Sequence, residues 1–546
     1  MTSNLFTISG MENRNLTNSK QEEENSDVCI LHQFGYTQEL YRGFSSFMSF
    51  TFCFTAVNVF AAISIGFSYT LDTGGSGVAI WSWILGSFFT ILISLSLAEI
   101  CSVYPTAGSV YHWSGKLVSS KYAPLASFIC GWFNFFGNAA ADAAFSSGFA
   151  TVVNDAFILN GKSSLGIGGQ VGVGIGVTFI WAVQNALRID QQGWINNAAA
   201  VLQIISAISI AIVLVVMAPQ RATAKDVFTS VYNGTGFPFA YVCCIGILST
   251  IFSFSGYEAG AHMAEETRSA RRAAPKGIVA TCVCSAIVGV IYLLALLFVI
   301  PNVSTFMEAH NGDNKTISLT VAIYQSVLPH QGALALTILL ILNLYFAGMS
   351  SITVTSRIGF AMARDDVFPF SYYLRWIFER TQTPLANVVF VFIIDSLLQL
   401  LQLVSTTAFL ALIATTTLGF QISYFMPIFF RCTTARNTFP SSKFNLGRFS
   451  IPIGIISSIW LFITSILMCF PTEYPVTKDN MNYTIVIISG IALIALIYWI
   501  VAARHRVIGP KRADMDPVSL PPEHVIDEDT MTITAPNSPD SMVTRL

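Results

Sequence analysis

Twelve apolar stretches, each roughly the 20 residues that cross a bilayer as a helix, run through this chain near 44–68, 79–103, 124–155, 170–188, 194–218, 238–263, 277–300, 332–360, 386–404, 406–430, 450–470 and 483–502. Hydrocarbon offers the backbone no hydrogen-bond partner, so each stretch must satisfy its own amides and carbonyls, which an α-helix does. Composition agrees. Of 546 residues, 53% are hydrophobic and only 11% charged, whereas roughly a quarter are charged in a soluble domain. The expected fold class is all-α: a polytopic protein with twelve transmembrane helices in a lipid bilayer.

Charge orients these helices. Residues 1–43 are polar, acidic at Glu22-Glu23-Glu24, and lack an apolar run of signal-peptide type, so the N-terminus is expected to stay cytosolic. Both termini then lie inside. Of the 28 Lys and Arg residues, only Lys162, Arg221, Lys225, Lys315 and Lys478 fall outside, the asymmetry that the positive-inside rule requires. The expected divisions are a cytosolic tail 1–43, a membrane domain 44–503 and a cytosolic tail 504–546. The tails are too polar to pack and read as disordered, except that LHQFGYTQELYRG at 31–43 reads as a juxtamembrane segment on the cytosolic face.

Asn233, Asn302, Asn314 and Asn482 begin N-x-Ser/Thr sequons in or beside expected outer loops, which suits a glycoprotein. The ten cysteines show neither metal-ligand nor disulfide-framework spacing and read as small apolar residues. A formal net charge of −2 gives no basis for a nucleic-acid partner. No metal cluster, GxSxG or phosphate loop suggests an enzyme, and no cofactor is expected.

One span is interrupted. From Phe252 to Gly277 the chain reads FSFSGYEAGAHMAEETRSARRAAPKG, which stops being a good helix at Ser255-Gly256. A break exposes amides and carbonyls, and is tolerable only where it lines a protein-enclosed or wet cavity. Half-helix ends then aim partial charges at whatever occupies that cavity. The plain alternative is a glycine kink packed against a neighbour. Glu258, just past the break, favours a binding site, because an ionisable residue inside a membrane is costly unless it is used. Asp142 of the third span stands near mid-membrane, where a carboxylate costs at least roughly 2.5–3.5 kcal/mol. It fits a counter-ion for a cationic substrate, a proton carrier, or a member of a buried polar network. Asp395, mid-span in the ninth stretch, reads as a scaffold contact.

Seven motifs in order carry a resemblance: FGYTQEL at 34–40, LSLAEICSVYPTAGSVYHW at 95–113, GWFNFFGN at 131–138, SFSGYEAGAHMAEETRSARRAAPKG at 253–277, SRIGFAMARDD at 356–366, FNLGRF at 444–449, and MNYTIV to YWIVAARH at 481–505. The chain resembles the amino acid–polyamine–organocation permeases, most closely the eukaryotic amino acid/choline branch. The resemblance implies a LeuT-type fold of two inverted five-helix repeats plus two peripheral helices, with substrate held between the unwound middles of helices one and six.

It also implies roles for residues. Ser255 and Gly256 would offer backbone contacts and Tyr257 an aromatic wall or ordinary packing. Glu258 would meet a substrate amine, exchange a proton, or tie helix six to a neighbour. The first span is expected to break near Ala61, Ala62, Ile63 and Ser64. Relatives usually carry glycine there, because amides must approach a carboxylate closely; the alanines here make a substrate without a carboxylate more plausible. Trp132, Asn138 and Asp142 follow at successive depths of the third span, and Trp132 suits packing or a quaternary-ammonium cage.

For coupling, the lysine of some proton-dependent relatives aligns with Gln203, which cannot titrate. A sodium site would use Ser350 and Ser351, although such serines usually bond back to their own helix. Uniport or exchange stays open. At the cytosolic ends, Glu99, Glu265, Glu266, Arg357, Arg364 and Asp365 are expected as gate or scaffold. The function implied is a secondary transporter of amino acids or small amino compounds such as GABA, with a choline or organic-cation permease as the alternative. A third reading is an amino-acid-sensing transceptor. The plasma membrane is the expected location, an endomembrane such as the vacuole the alternative.

Overall fold

A computed structural model describes residues 27–29, 31–312, 317–478, 480–507 and 509–510. Among the described residues ten helices are long and apolar enough to cross a membrane, and with the helix Ala123–Leu159 and a split sixth span they make a bundle of twelve. The first, α1, has two halves, α1a (Ser46–Val57) and α1b (Val59–Asp72). Then follow α2 (Gly75–Val103), α3 (Ala123–Leu159), α4 (Ile167–Asn185) and α5 (Ile189–Met217). The sixth is again split, into α6a (Phe239–Ser253) and α6b (Ala259–His262). The last six are α7 (Ala270–Phe298), α8 (His330–Arg364), α9 (Leu385–Val404), α10 (Thr406–Cys432), α11 (Ser450–Leu467) and α12 (Thr484–Val501).

Helix α3 runs through the middle, packed on both α8 and α10, while α7 lies along α2 and α1a. The split helices are neighbours: α6a packs against α1b, and α6b against α1a. Helix α12 sits at the periphery on α10. Faces turned away from the bundle carry exposed apolar side chains, such as Val201, Ile205 and Ile212 on α5 and Leu493, Ile497 and Ile500 on α12. Lipid satisfies such faces, so they need no protein partner. Inside, Gly348 of α8 admits the buried Trp181 of α4; a Cβ there would collide with the indole ring.

The 31–43 segment is more tightly held than a loose juxtamembrane stretch. Leu31, Phe34, Tyr36 and Leu40 are all buried. Phe44 donates its amide to the Glu266 carbonyl at 2.9 Å and accepts from the Arg268 amide at 2.9 Å, forming a one-residue β-bridge with Thr267. Tyr36 meets His112 of the short helix Ser109–Lys116, and Gly115 of that helix lies against Pro510. The described parts of both tails therefore lie at one end of the bundle, the basic end. The rest of the tails, 1–26 and 511–546, lies outside the described residues, as does Asn314. Asn233 and Asn302 are exposed, and Asn482 is half-buried.

Candidate functional site

The expected break in the sixth span is present. Helix α6a stops at Ser253, and Gly256 takes a φ of +90°, which glycine adopts without steric penalty. Its amide donates to the Tyr424 hydroxyl of α10 at 3.2 Å.

The first span breaks three residues earlier than expected, at Asn58 (φ 34°, ψ 66°). Asparagine tolerates this left-handed conformation better than other side chains. Its side chain accepts from the Ala61 amide at 3.2 Å and donates to the Asn343 carbonyl of α8 at 3.0 Å. The asparagine that ends one half-helix thus caps the next. Ala61, Ala62, Ile63 and Ser64 are ordinary turns of α1b, where alanine is the best helix former. Ser64 is scaffold: it donates to the Phe60 carbonyl and shares a hydrogen bond with Tyr292. The break therefore does not depend on a glycine at these positions, because Asn58 makes it.

Between the two breaks lies a narrow cavity with about 40 Å³ of free volume, room for roughly three waters. Its wall is Ala56, Val57, Ala62 and Ile65 of α1, Asn138, Ala141, Ala144 and Phe145 of α3, and Phe252, Ser255 and Gly256 of α6, closed by Ser351, Val354, Thr416 and Phe420 from α8 and α10. No charged side chain is among these residues.

Beside the break, Glu258 is fully buried. Its Oε1 accepts from Asn134 Nδ2 of α3 at 3.1 Å, and its Oε2 accepts from the Tyr424 hydroxyl. His262, one turn on, places Nε2 3.8 Å from Glu258 Oε1. The other ring nitrogen, Nδ1, donates to the Ala107 carbonyl at 2.9 Å.

Comparison with known proteins agrees with this architecture. The family described as Amino acid permease matches residues 44–491. The chain belongs to the amino acid permease family. This permease is 33% identical over 492 residues to amino-acid permease BAT1 of Arabidopsis thaliana, covering 88% of this chain and 95% of that one. It is 32% identical over 494 residues to the BAT1 homolog of Oryza sativa subsp. japonica, covering 88% and 94%. It is also 27% identical over 516 residues to thiamine transporter thi9 of Schizosaccharomyces pombe, covering 89% and 87%. The permease is thus an integral multi-pass membrane protein, a transporter of amino acids or related compounds and not an enzyme.

Of the residues expected to bind substrate, the permease brings Ala62, Asn138, Ser255 and Gly256 to the cavity wall, and Ser351 joins them. Trp132 does not reach it. That indole packs among Phe128, Phe368 and Tyr498 at centroid distances of 5.9, 5.9 and 6.2 Å, because its side of α3 faces α12. Tyr257 packs against Tyr424 with the rings tilted at 41° and centroids 4.9 Å apart, and lines a second, smaller cavity with Ser255 and Phe420. Asp142 sits one layer behind the wall, accepting from Thr355 at 2.6 Å. Asp395 of α9 has both carboxylate oxygens buried without a hydrogen-bond partner among the described residues. Ser350 and Ser351 are not a matched pair: Ser350 donates to Asn196 of α5 at 2.7 Å, while Ser351 faces the cavity. Gln203 is buried in α5, and neither end of its amide has a hydrogen-bond partner among the described residues.

Sequence reading missed Asn58, Phe145, Phe252, Thr416, Phe420, Tyr424 and His262. Asn58 had a signal, as the lone amide side chain in the apolar run FCFTAVNVFAAIS. The phenylalanines had none, since 43 of them are spread along the chain.

The basic end is closed by ion pairs. Arg364 donates to both oxygens of Glu265 at 2.9 and 2.8 Å, and Glu265 also accepts from the Ala107 amide at 2.9 Å. Burial alone would raise the Glu265 carboxyl, but Arg364 and these hydrogen bonds hold it below its usual value. Glu266 pairs with Arg357 at 2.9 Å; there burial prevails over Arg357 and pushes the carboxyl up. Asp365 accepts from Tyr36 at 3.0 Å and Tyr111 at 2.9 Å, beside His112 at 3.1 Å. Burial pushes the His112 imidazole below 6.5, with Asp365 opposing it. Glu99 accepts from Ser450 at 2.5 Å and the Leu446 amide at 3.2 Å, which fixes the approach to α11.

Proposed function

We propose that this permease carries a small zwitterionic amino compound, a neutral amino acid or a short ω-amino acid such as GABA, by alternating access between the broken helices. The observation that carries this reading is the uncharged cavity wall, with Asn138, Ser255, Ser351 and Thr416 as its polar side chains. A zwitterion brings both charges itself and needs only dipoles to receive them. The amino end of α1b suits its carboxylate and the carboxyl end of α6a its ammonium. The basic end, held by pairs joining α6 to α8, is the cytosolic gate, as the positive-inside rule orients it.

A second reading has its own support. Phe145, Phe252 and Phe420 stand in the wall, aromatic faces suit an organic cation, and the relative thi9 is named a thiamine transporter. Counterflow into proteoliposomes with labelled alanine, GABA, choline and thiamine separates the two. Uptake of alanine or GABA that choline does not inhibit supports the zwitterion; uptake of choline or thiamine alone overturns it.

A further inference from the structure

The Glu258–His262 pair sets two lone-pair-bearing atoms against each other at 3.8 Å. A carbonyl oxygen only accepts, so His262 must carry its hydrogen on Nδ1 to bond Ala107. In the neutral ring this leaves a bare lone pair on Nε2. That lone pair faces Glu258 Oε1 at 3.8 Å, with both side chains fully buried, and His262 Nε2 has no hydrogen-bond partner among the described residues. An ionised carboxylate opposite a bare imidazole nitrogen would repel it in a water-poor interior. One added hydrogen converts the contact into an attraction, as Oε1–H facing Nε2 or as carboxylate facing Nε2–H⁺.

We propose that Glu258 and His262 form a proton-binding site that couples transport to a proton gradient. The proposal rests on the transport reading above and adds its energy source. A path from this site to the cavity is present. Tyr424 donates to Glu258 Oε2 and accepts from the Gly256 amide, and Gly256 is part of the cavity wall. Loss of the proton sets the carboxylate against the Nε2 lone pair, pushing α6b away from its present packing and drawing on Tyr424. The loaded pair fits the conformation described here, and the unloaded pair favours another.

The surroundings leave the proton to these two groups. Cys53 of α1a, Cys130 of α3, Cys282 of α7, Tyr257 and Tyr424 lie near Glu258, and none is basic. From α8, Arg357 is engaged by Glu266. Nearby Glu265 is held by Arg364, and His112 by Asp365.

The test uses the purified full chain in proteoliposomes, with labelled alanine and GABA as probes. Coupling of one proton per substrate predicts about tenfold accumulation for a one-unit pH gradient, acid outside. Glu258→Gln carries a hydrogen where the loaded carboxyl would, so exchange should become independent of pH and gradient-driven accumulation should fall about tenfold. Infrared difference spectra between acid and alkaline buffer, without substrate, should show a deuterium-sensitive carboxylic-acid or imidazolium band in the wild type and lose it in Glu258→Gln. His262→Gln, read by the same spectra, serves if the first variant does not fold. Undiminished accumulation in Glu258→Gln, or spectra unchanged by both variants, overturns the proposal. Absence of probe exchange by the wild type at any pH instead counts against the transport reading, and the spectra still decide the proton site.

Discussion

Arg357 of α8 and Glu266, just beyond α6, meet at 2.9 Å with neither side chain more than 1% exposed. Removing one member of such a pair strands the other charge in a dry interior, at a cost of about 3–5 kcal/mol, whereas replacing both with apolar residues costs much less. Arg357→Met alone should lower the unfolding temperature in detergent more than Arg357→Met with Glu266→Leu. Equal losses would show that the pair is not energetically coupled.

Asn58 separates two effects at the α1 break. Asn58→Gly and Asn58→Ala both lose the cap on Ala61 and the bond to Asn343. Only alanine also suffers the left-handed backbone, about 1–2 kcal/mol. The alanine variant should be the less stable by that difference in detergent melting. A glycine variant no better than alanine would mean that the break shifts to another residue.

Acid should weaken the basic end through two groups. His112 has a folded-state value below 6.5, so below 6.5 the unfolded chain takes up a proton that the folded chain refuses, and stability falls. Glu265 is held below 4.5; its contribution is full above 4.5 and is lost as pH falls through the folded value. His112→Gln should flatten the decline of melting temperature below pH 6.5. An unchanged slope would assign that decline elsewhere.

Asp142 accepts from Thr355 and is absent from the cavity wall. Asp142→Asn preserves an acceptor for Thr355, so the KM for alanine or GABA should stay within about twofold. Ser351→Leu fills the cavity and should raise KM roughly tenfold, about 1.4 kcal/mol of binding. A large KM change in Asp142→Asn would return this carboxylate to the substrate.

The helices were legible because hydrocarbon enforces a single backbone solution, and the α6 break because Gly256 follows a serine in an apolar run ahead of Glu258. The α1 break was misplaced because asparagine, not glycine, supplies the left-handed residue at position 58. Depth could be read from position along a span, but facing could not. Trp132 and Asn138 lie on the same helix, yet one turns to α12 and the other to the cavity. Facing follows from which helices adjoin α3, and that is a long-range property. His262 stood in plain view four residues after Glu258, but its meaning depends on the Ala107 carbonyl arriving from the chain between α2 and α3.

The segment beneath the bundle also bears on how the protein can be handled. Gln38 donates to the Glu265 carbonyl, Arg42 to the Thr267 carbonyl, and Phe44 is bridged to Thr267, so the lead-in to α1a and the exit from α6b form one stitched seam. A fluorophore placed along this seam would report on both broken helices at once. A tag inserted there would act as a wedge and prise the two broken helices apart.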